Sequence, residues 1–277
     1  MTILCVPSPS DVATLPAAAA PLARALRLPL AATLLFDAAE QSDPASPADV
    51  ESAWRAATEA LAATLPPGVQ SAGLALRLNG EPPWAPPVRL AIATGARLLA
   101  IDAREGPGLS SLGEIVRAAP VPVLAIGPRY VQLEGAPVRI VTLTDGSSDA
   151  ATIGPALAAL LAGTDVPVQL LAIEIPALGE HPTERDLELA LGLETLAAAM
   201  PQVTIVHRRI EPARAFESVA AAVIRVAREH GATHIALATH GRGRALRFLL
   251  GSVAEALVRS SPLPLLLVAP TGGQSSD

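Results

Sequence analysis

The sequence contains no lysine, and all twenty of its basic residues are arginine. That absence excludes a Walker A phosphate loop, Schiff-base chemistry on a lysine amine and the ATP-binding lysine of protein kinases. Cysteine is limited to Cys5, which excludes an internal disulfide and a thiolate metal cluster and fits a reducing compartment. Aromatic residues make up 2% of the chain, too few for stacking platforms that hold single-stranded nucleic acid or sugars. The net charge of −6 argues against nucleic acid or an anionic membrane as a partner. The longest apolar stretch, residues 17–36, carries Arg24 and Arg27 in its middle and reads as helix, turn and strand, because a membrane span would bury both charges. Residues 1–7 have neither the basic region nor the apolar length of a signal peptide. The expectation is a cytoplasmic protein with no nucleic-acid and no membrane partner.

What is present is a globular balance, 51% hydrophobic and 17% charged, over 277 residues, enough for two domains. The chain also repeats itself. Ala-Ala-Pro-Val-Pro-Val-Leu-Ala-Ile-Gly-Pro at 118–128 is echoed by Ser-Ser-Pro-Leu-Pro-Leu-Leu-Leu-Val-Ala-Pro at 260–270. Ahead of these, Gly95-Ala96-Arg97-Leu98 parallels Gly231-Ala232-Thr233-His234, and Arg117 pairs with Arg259. Pro, Gly and polar residues near 128–137 mark the seam.

Each half alternates short apolar runs with helical periods. The second half reads as strands near 138–143, 168–175, 203–206, 235–237 and 263–268, with helices over 150–161, 184–200, 216–230 and 253–258. The first half follows with strands near 3–6, 31–36, 72–77, 98–102 and 121–126. Continuous apolar strands linked by helices imply a parallel sheet covered on both faces. The fold class expected is α/β: two doubly wound, Rossmann-like, five-stranded parallel sheets in tandem, with ligands at the carboxyl ends of the strands where strand order reverses.

The richest stretch for chemistry follows the fourth strand of the second half. Gly241 and Gly243 allow backbone to approach an anion, Gly251-Ser252 opens a helix with free N–H groups, and Arg242, Arg244 and Arg247 add positive charge. The same residues also suit a surface turn followed by a helix cap. Likewise, Asp145-Gly146 after the first strand of this half is either a strand-ending turn or a carboxylate placed to accept from a ribose hydroxyl.

The segment Ala238-Thr239-His240-Gly241-Arg242-Gly243, followed by Gly251-Ser252, closely resembles the nucleotide signature of the universal stress protein family: Gly, two residues, Gly, nine residues, Gly-Ser/Thr. Ala238 stands at the leading glycine. The resemblance implies an adenine nucleotide α-hydrolase-like fold that binds ATP in the second half. It gives Asp145 the nucleoside end of the pocket, with Leu143 and Thr144 beside it and the backbone near Ile173 facing the adenine. Leu237, Val253 and His240 would flank the nucleotide. Its phosphates would lie on N–H groups of Gly241, Arg242, Gly243, Arg244 and Ser252, bridged by Mg²⁺. His240 suits loop support as well as ligand contact.

The resemblance covers both halves in architecture and one in site chemistry. The first half has no aspartate at the place of Asp145, since Asp11 comes three residues too late. Leu109 stands at the place of Gly251, and Asp102 and Glu105 would repel phosphate. The expected domains are therefore 1–130, degenerate and structural, and 137–271, with the nucleotide motif. The resemblance further implies that strands near 121–126 and 263–268 pair within the chain as a pseudo-dimer, with a further homodimer left open. Two functions follow: a nucleotide-dependent stress-response or signalling protein with at most weak ATP hydrolysis, or an interaction module without nucleotide. An adenine-nucleotide transferase or hydrolase would need catalytic residues that the sequence does not offer.

Other polar residues read as structure. His230 and His234 are four apart, but a helix ends at Gly231 between them, so they do not form a metal pair on one helix face. His181 and His207 are isolated. Arg208, Arg209 and Arg214 suit a solvated face, and Glu184, Asp186 and Glu188 the acidic start of a helix. Cys5 reads as a buried apolar residue.

Overall fold

The computed structural model describes residues 1–37, 47–77, 80–104, 111–144, 150, 152–172, 190, 191, 194, 197–198, 203–206, 217–239 and 250–269. The chain divides into two compact units, Met1–Ile126 and Gly127–Asp277. In the first unit the elements run β1 (Ile3–Val6), α1 (Thr14–Leu26), β2 (Leu30–Asp37), α2 (Pro47–Thr64), β3 (Val69–Arg77), α3 (Ala85–Thr94), β4 (Leu98–Asp102), α4 (Leu112–Ala118) and β5 (Val123–Ile126). In the second they run β6 (Ile140–Thr144), α5 (Ile153–Leu161), β7 (Val168–Ala172), β8 (Val203–Val206), α6 (Val219–Glu229), β9 (His234–Ala238), α7 (Ser252–Ser260) and β10 (Leu265–Val268). The described residues of the helical period expected over 184–200, namely Ala190, Leu191, Glu194, Ala197 and Ala198, are helical.

Every strand pairs in parallel with its neighbours, in the order β3-β2-β1-β4-β5 in the first unit and β8-β7-β6-β9-β10 in the second. The α/β, doubly wound reading of each half therefore holds. The chain runs outward from β1 through β2 to β3, then returns to the other side of β1; the second unit does the same around β6. The inner strands β1, β4 and β6 are buried at every residue, as strands covered on both faces must be.

The helices follow from their apolar spacing. Helix α1 buries Leu15, Ala18, Ala19, Leu22, Ala23 and Leu26, one stripe at i, i+3, i+4 steps. Helix α6 starts at Ser218, whose Oγ accepts from the Ala221 N–H at 3.2 Å, and buries Val223 and Val226.

The repeat in the sequence becomes a repeat of individual hydrogen bonds. Ile3 N–H donates to Pro29 O at 3.0 Å, and Ile140 N–H to Pro167 O at 3.2 Å. Leu99 N–H donates to Pro122 O and Ile235 N–H to Pro264 O, both at 3.1 Å. Pro122 and Pro264 lie just before β5 and β10, where a residue without an N–H serves only as acceptor. Ala103 N–H to Ile126 O at 2.9 Å matches Thr239 N–H to Val268 O at 3.0 Å.

Helices α3 and α6 also end alike. Gly95 N–H bonds Ile92 O and Ala96 N–H bonds Ala91 O; Gly231 N–H bonds Arg228 O and Ala232 N–H bonds Ala227 O. Both glycines are left-handed, at φ 60° and 65°, as this helix ending requires. A Cβ on Gly231 would also stand 3.3 Å from Nη1 of Arg139, which donates to His230 O at 2.8 Å; a Cβ on Gly95 meets nothing within 4 Å. Gly231→Ala is expected to cost about 1–2 kcal/mol, from the backbone penalty plus displacement of Arg139. Gly95→Ala should cost only the backbone part. Urea midpoints of the two variants check the difference.

Candidate functional site

The strand order of the second unit reverses between β6 and β9, which are direct neighbours with Ile140 opposite His234 and Thr142 opposite Ala236. Their carboxyl ends therefore open a crevice at the place where parallel α/β sheets bind ligands. Leu143 and Thr144 end β6, and both are buried. Leu237 and Ala238 end β9. Leu143 and Thr144 on β6, and Leu237 and Ala238 on β9, follow the last paired residues Thr142 and Ala236 toward the carboxyl edge.

Thr239 follows and is buried. Its N–H donates to Val268 O, and its carbonyl accepts from the Gly251 N–H at 2.7 Å. That last bond ties the start of α7 to the end of β9. Gly251 is the N-cap of α7, without a side-chain cap, and Ser252 and Val253 are the first residues of the helix. The helix ladder begins with Glu255 N–H to Gly251 O at 2.9 Å. The amides of Ser252 and Val253 consequently have no intrahelical acceptor, and the helix dipole adds positive potential there. This arrangement accepts an anion. Glu255 in the first turn pairs with Arg259 at 3.2 Å.

The structure thus gathers Leu143, Thr144, Leu237, Ala238, Gly251, Ser252 and Val253 at one edge of the sheet. Asp145, Ile173, His240, Gly241, Arg242, Gly243 and Arg244 lie outside the described residues, as do Arg247, His181, His207 and Arg208, Arg209 and Arg214. Thr239, absent from the sequence-based assignment, is the residue that positions the helix; its signal was its place inside the glycine-containing segment.

The matching edge of the first unit holds an ion cluster. Asp102, at the end of β4, keeps its side chain only 1% exposed and accepts from Arg104 Nη2 at 2.6 Å and Nε at 3.0 Å. The Ser8 N–H and the Arg104 N–H also donate to it. Arg104 Nη1 reaches Asp11 at 3.0 Å. Asp11 further accepts from the Ala13 and Thr14 N–H groups and the Thr14 hydroxyl, so it opens α1. The Thr14 hydroxyl first, and the Arg104 guanidinium after it, hold the Asp11 carboxyl down at about 2. Asp102 is therefore not a free charge facing phosphate, as the sequence reading had it, because Arg104 neutralises it. Glu105 and Leu109 lie outside the described residues.

The remaining polar residues sit away from these edges. Cys5 is fully buried, and burial pushes its thiol up to about 12, leaving it protonated and inert. His230 follows the last residue of α6, while His234 is buried at the start of β9 with Nδ1 2.9 Å from the Thr233 hydroxyl. Among the described residues, no group of three His, Cys, Asp or Glu side chains is placed to hold a metal ion, and no helix is long and apolar enough to cross a membrane.

Three solved structures align over nearly the whole chain. A putative universal stress protein from Pseudomonas aeruginosa UCBPP-PA14 is 14% identical with a TM-score of 0.55, covering 97% of this chain and 93% of its own. A universal stress protein from Archaeoglobus fulgidus DSM 4304 is 14% identical with a TM-score of 0.53, covering 99% and 97%. A functionally unknown protein from Pseudomonas aeruginosa PAO1 is 15% identical with a TM-score of 0.54, covering 97% and 92%. At these identities the likeness concerns the fold. No curated protein matches the sequence. The sequence model of the universal stress protein family matches residues 132–269, which spans the second unit from before β6 to the end of β10. By that match the second unit of the chain is a domain of the universal stress protein family.

Proposed function

We propose that residues 137–271 bind an adenine nucleotide, ATP in particular, and that the chain is a cytoplasmic, nucleotide-dependent stress-response or signalling protein. The observation that carries this reading is the uncapped start of α7 held at the β6–β9 crevice by the 2.7 Å bond from Gly251 to Thr239. Backbone N–H groups without an intrahelical acceptor suit phosphate oxygens, and the family signature runs through the same residues. Ser252, Val253 and the glycine segment from Gly241 to Arg244 would hold the phosphates, with Asp145 at the ribose and Ile173 at the base. Mg²⁺ would neutralise phosphate charge and take its ligands from the nucleotide and water. The binding residues supply no evident base for water, so the nucleotide serves as a switch rather than a fuel.

In this reading residues 1–130 are a degenerate domain of the same family, with Arg104 committed to two carboxylates instead of a ligand phosphate. Pairing of the last strands of the two halves, as a pseudo-dimer, is part of the proposal and draws on the sequence repeat. Ala238, at the leading glycine of the signature, favours the alternative of an interaction module that binds no nucleotide.

Calorimetric titration with Mg-ATP separates the two. One site per chain is expected, weakened at least about 100-fold by Gly251→Asp. Aspartate is a good N-cap, so this variant should fold as well as the parent while its carboxylate occupies the amides and repels phosphate. No heat and no thermal shift across millimolar Mg-ATP would leave the interaction module standing.

A further inference from the structure

We propose that the first unit carries a separate site for a carboxylate borne on an apolar body, such as a medium-chain fatty acid. The site is a groove of about 410 Å³ between the face of α1 that runs from Pro16 to its C-terminal end, the turn before β3 and the first residues of β2 and β3. It lies at the amino ends of the strands, the opposite edge from the β1–β4 crevice. Its volume falls within the range of small-ligand pockets.

The groove is stiff and apolar. Pro16, Pro29, Pro66 and Pro67 form its walls, and these residues have a fixed φ and no N–H to offer. Ala20 and the buried Leu30 also line it. Arg24 and Arg27, both exposed, complete the lining, and no Asp or Glu is part of it. Neither guanidinium has a hydrogen-bond or ion-pair partner among the described residues.

The arginines are not needed to finish α1. That end is already closed by backbone, with Arg27 N–H to Arg24 O at 3.1 Å and Leu28 N–H to Ala23 O at 2.9 Å. Arg27 holds a left-handed backbone at φ 55°, which glycine would adopt without penalty, so this position keeps a charged side chain against its conformational preference. Two unpaired guanidinium groups at the rim of an apolar groove complement a carboxylate with an alkyl tail: the fork binds the oxygens and the prolines cover the chain.

The test titrates the full-length protein with decanoate, and separately with 1-decanol, below micelle-forming concentrations, following the amide resonances of Gly68 and Val69. Saturable decanoate binding is expected, at least about tenfold tighter than decanol, and weakened at least about tenfold in the Arg24→Ala/Arg27→Ala double variant. Ala20→Trp, which fills the groove and keeps both charges, should abolish it. Each variant is first shown to unfold at the parental midpoint. Equal affinity for decanol, undiminished binding in either variant, or no saturation overturns the proposal. Added Mg-ATP should leave these resonances unmoved, so the outcome is independent of the nucleotide reading.

Discussion

Replacing Arg104 with alanine is expected to lower the unfolding free energy by about 3–5 kcal/mol at pH 7. The cause is the state in which it leaves Asp102. That side chain is 1% exposed and takes two guanidinium N–H bonds from Arg104, at 2.6 and 3.0 Å. Without them it keeps, among the described residues, only the Ser8 and Arg104 backbone N–H groups as donors, at 3.3 and 3.1 Å. A buried carboxylate with two amides and no cation pays most of its desolvation penalty unrelieved. The double variant Asp102→Ala/Arg104→Ala removes the stranded charge along with its partner and should recover at least half of the loss. Urea unfolding of parent, single and double variants at pH 7 measures this. A double variant no more stable than the single would show that the cluster acts through packing rather than charge.

This cluster shows where sequence reading stops. The element order was legible because apolar runs and helical stripes recur in both halves, and because proline marks the starts of β5 and β10. Boundaries moved where backbone pairing outvoted composition: β3 begins at Val69, opposite Leu30, three residues before the apolar pattern strengthens. The edge of the second sheet was legible from its glycines and serine, since a helix that starts on Gly251-Ser252 leaves its first amides open whatever the tertiary context. The bond that fixes that helix start, Thr239 to Gly251, was not, because it is made by backbone atoms that every residue carries. Asp11 and Arg104 were not paired in the sequence reading either. They lie 93 residues apart and meet only because β1 and β4 are neighbours. Counted along the chain, Asp11 misses the place of Asp145. In the fold it turns back to open α1 and bind Arg104, two residues after Asp102.

In the sequence His234 stands out only by its spacing from His230, and its burial gives it a different consequence. Acid is expected to destabilise this protein well above the range where carboxylates titrate, and His234 is the group responsible. It stands at the start of β9 opposite Ile140; the corresponding position of the first unit, opposite Ile3, is Leu98. Nδ1 meets the Thr233 hydroxyl at 2.9 Å, while Nε2 is buried without a partner among the described residues. Whichever nitrogen carries the proton of the neutral ring, the cation holds an N–H on Nε2 that meets no acceptor among the described residues. Burial accordingly pushes the pKa from 6.5 down to about 4. The unfolded chain therefore takes up a proton as pH falls below 6.5, and the folded chain does so only near 4. Stability is complete above 6.5, declines through that window by about 3 kcal/mol, and then levels off with respect to this group. His234→Leu, which restores the residue of the first unit, removes the titration together with the unpartnered nitrogen. At pH 7.5 the variant should lie within about 1 kcal/mol of the parent, since it exchanges one hydrogen bond for apolar packing. At pH 4.5 it should be the more stable by about 2–3 kcal/mol. The two chains are compared by urea unfolding at half-unit steps between pH 4 and 8. A difference that stays flat across that range would mean that His234 is hydrated in solution and carries no acid sensitivity.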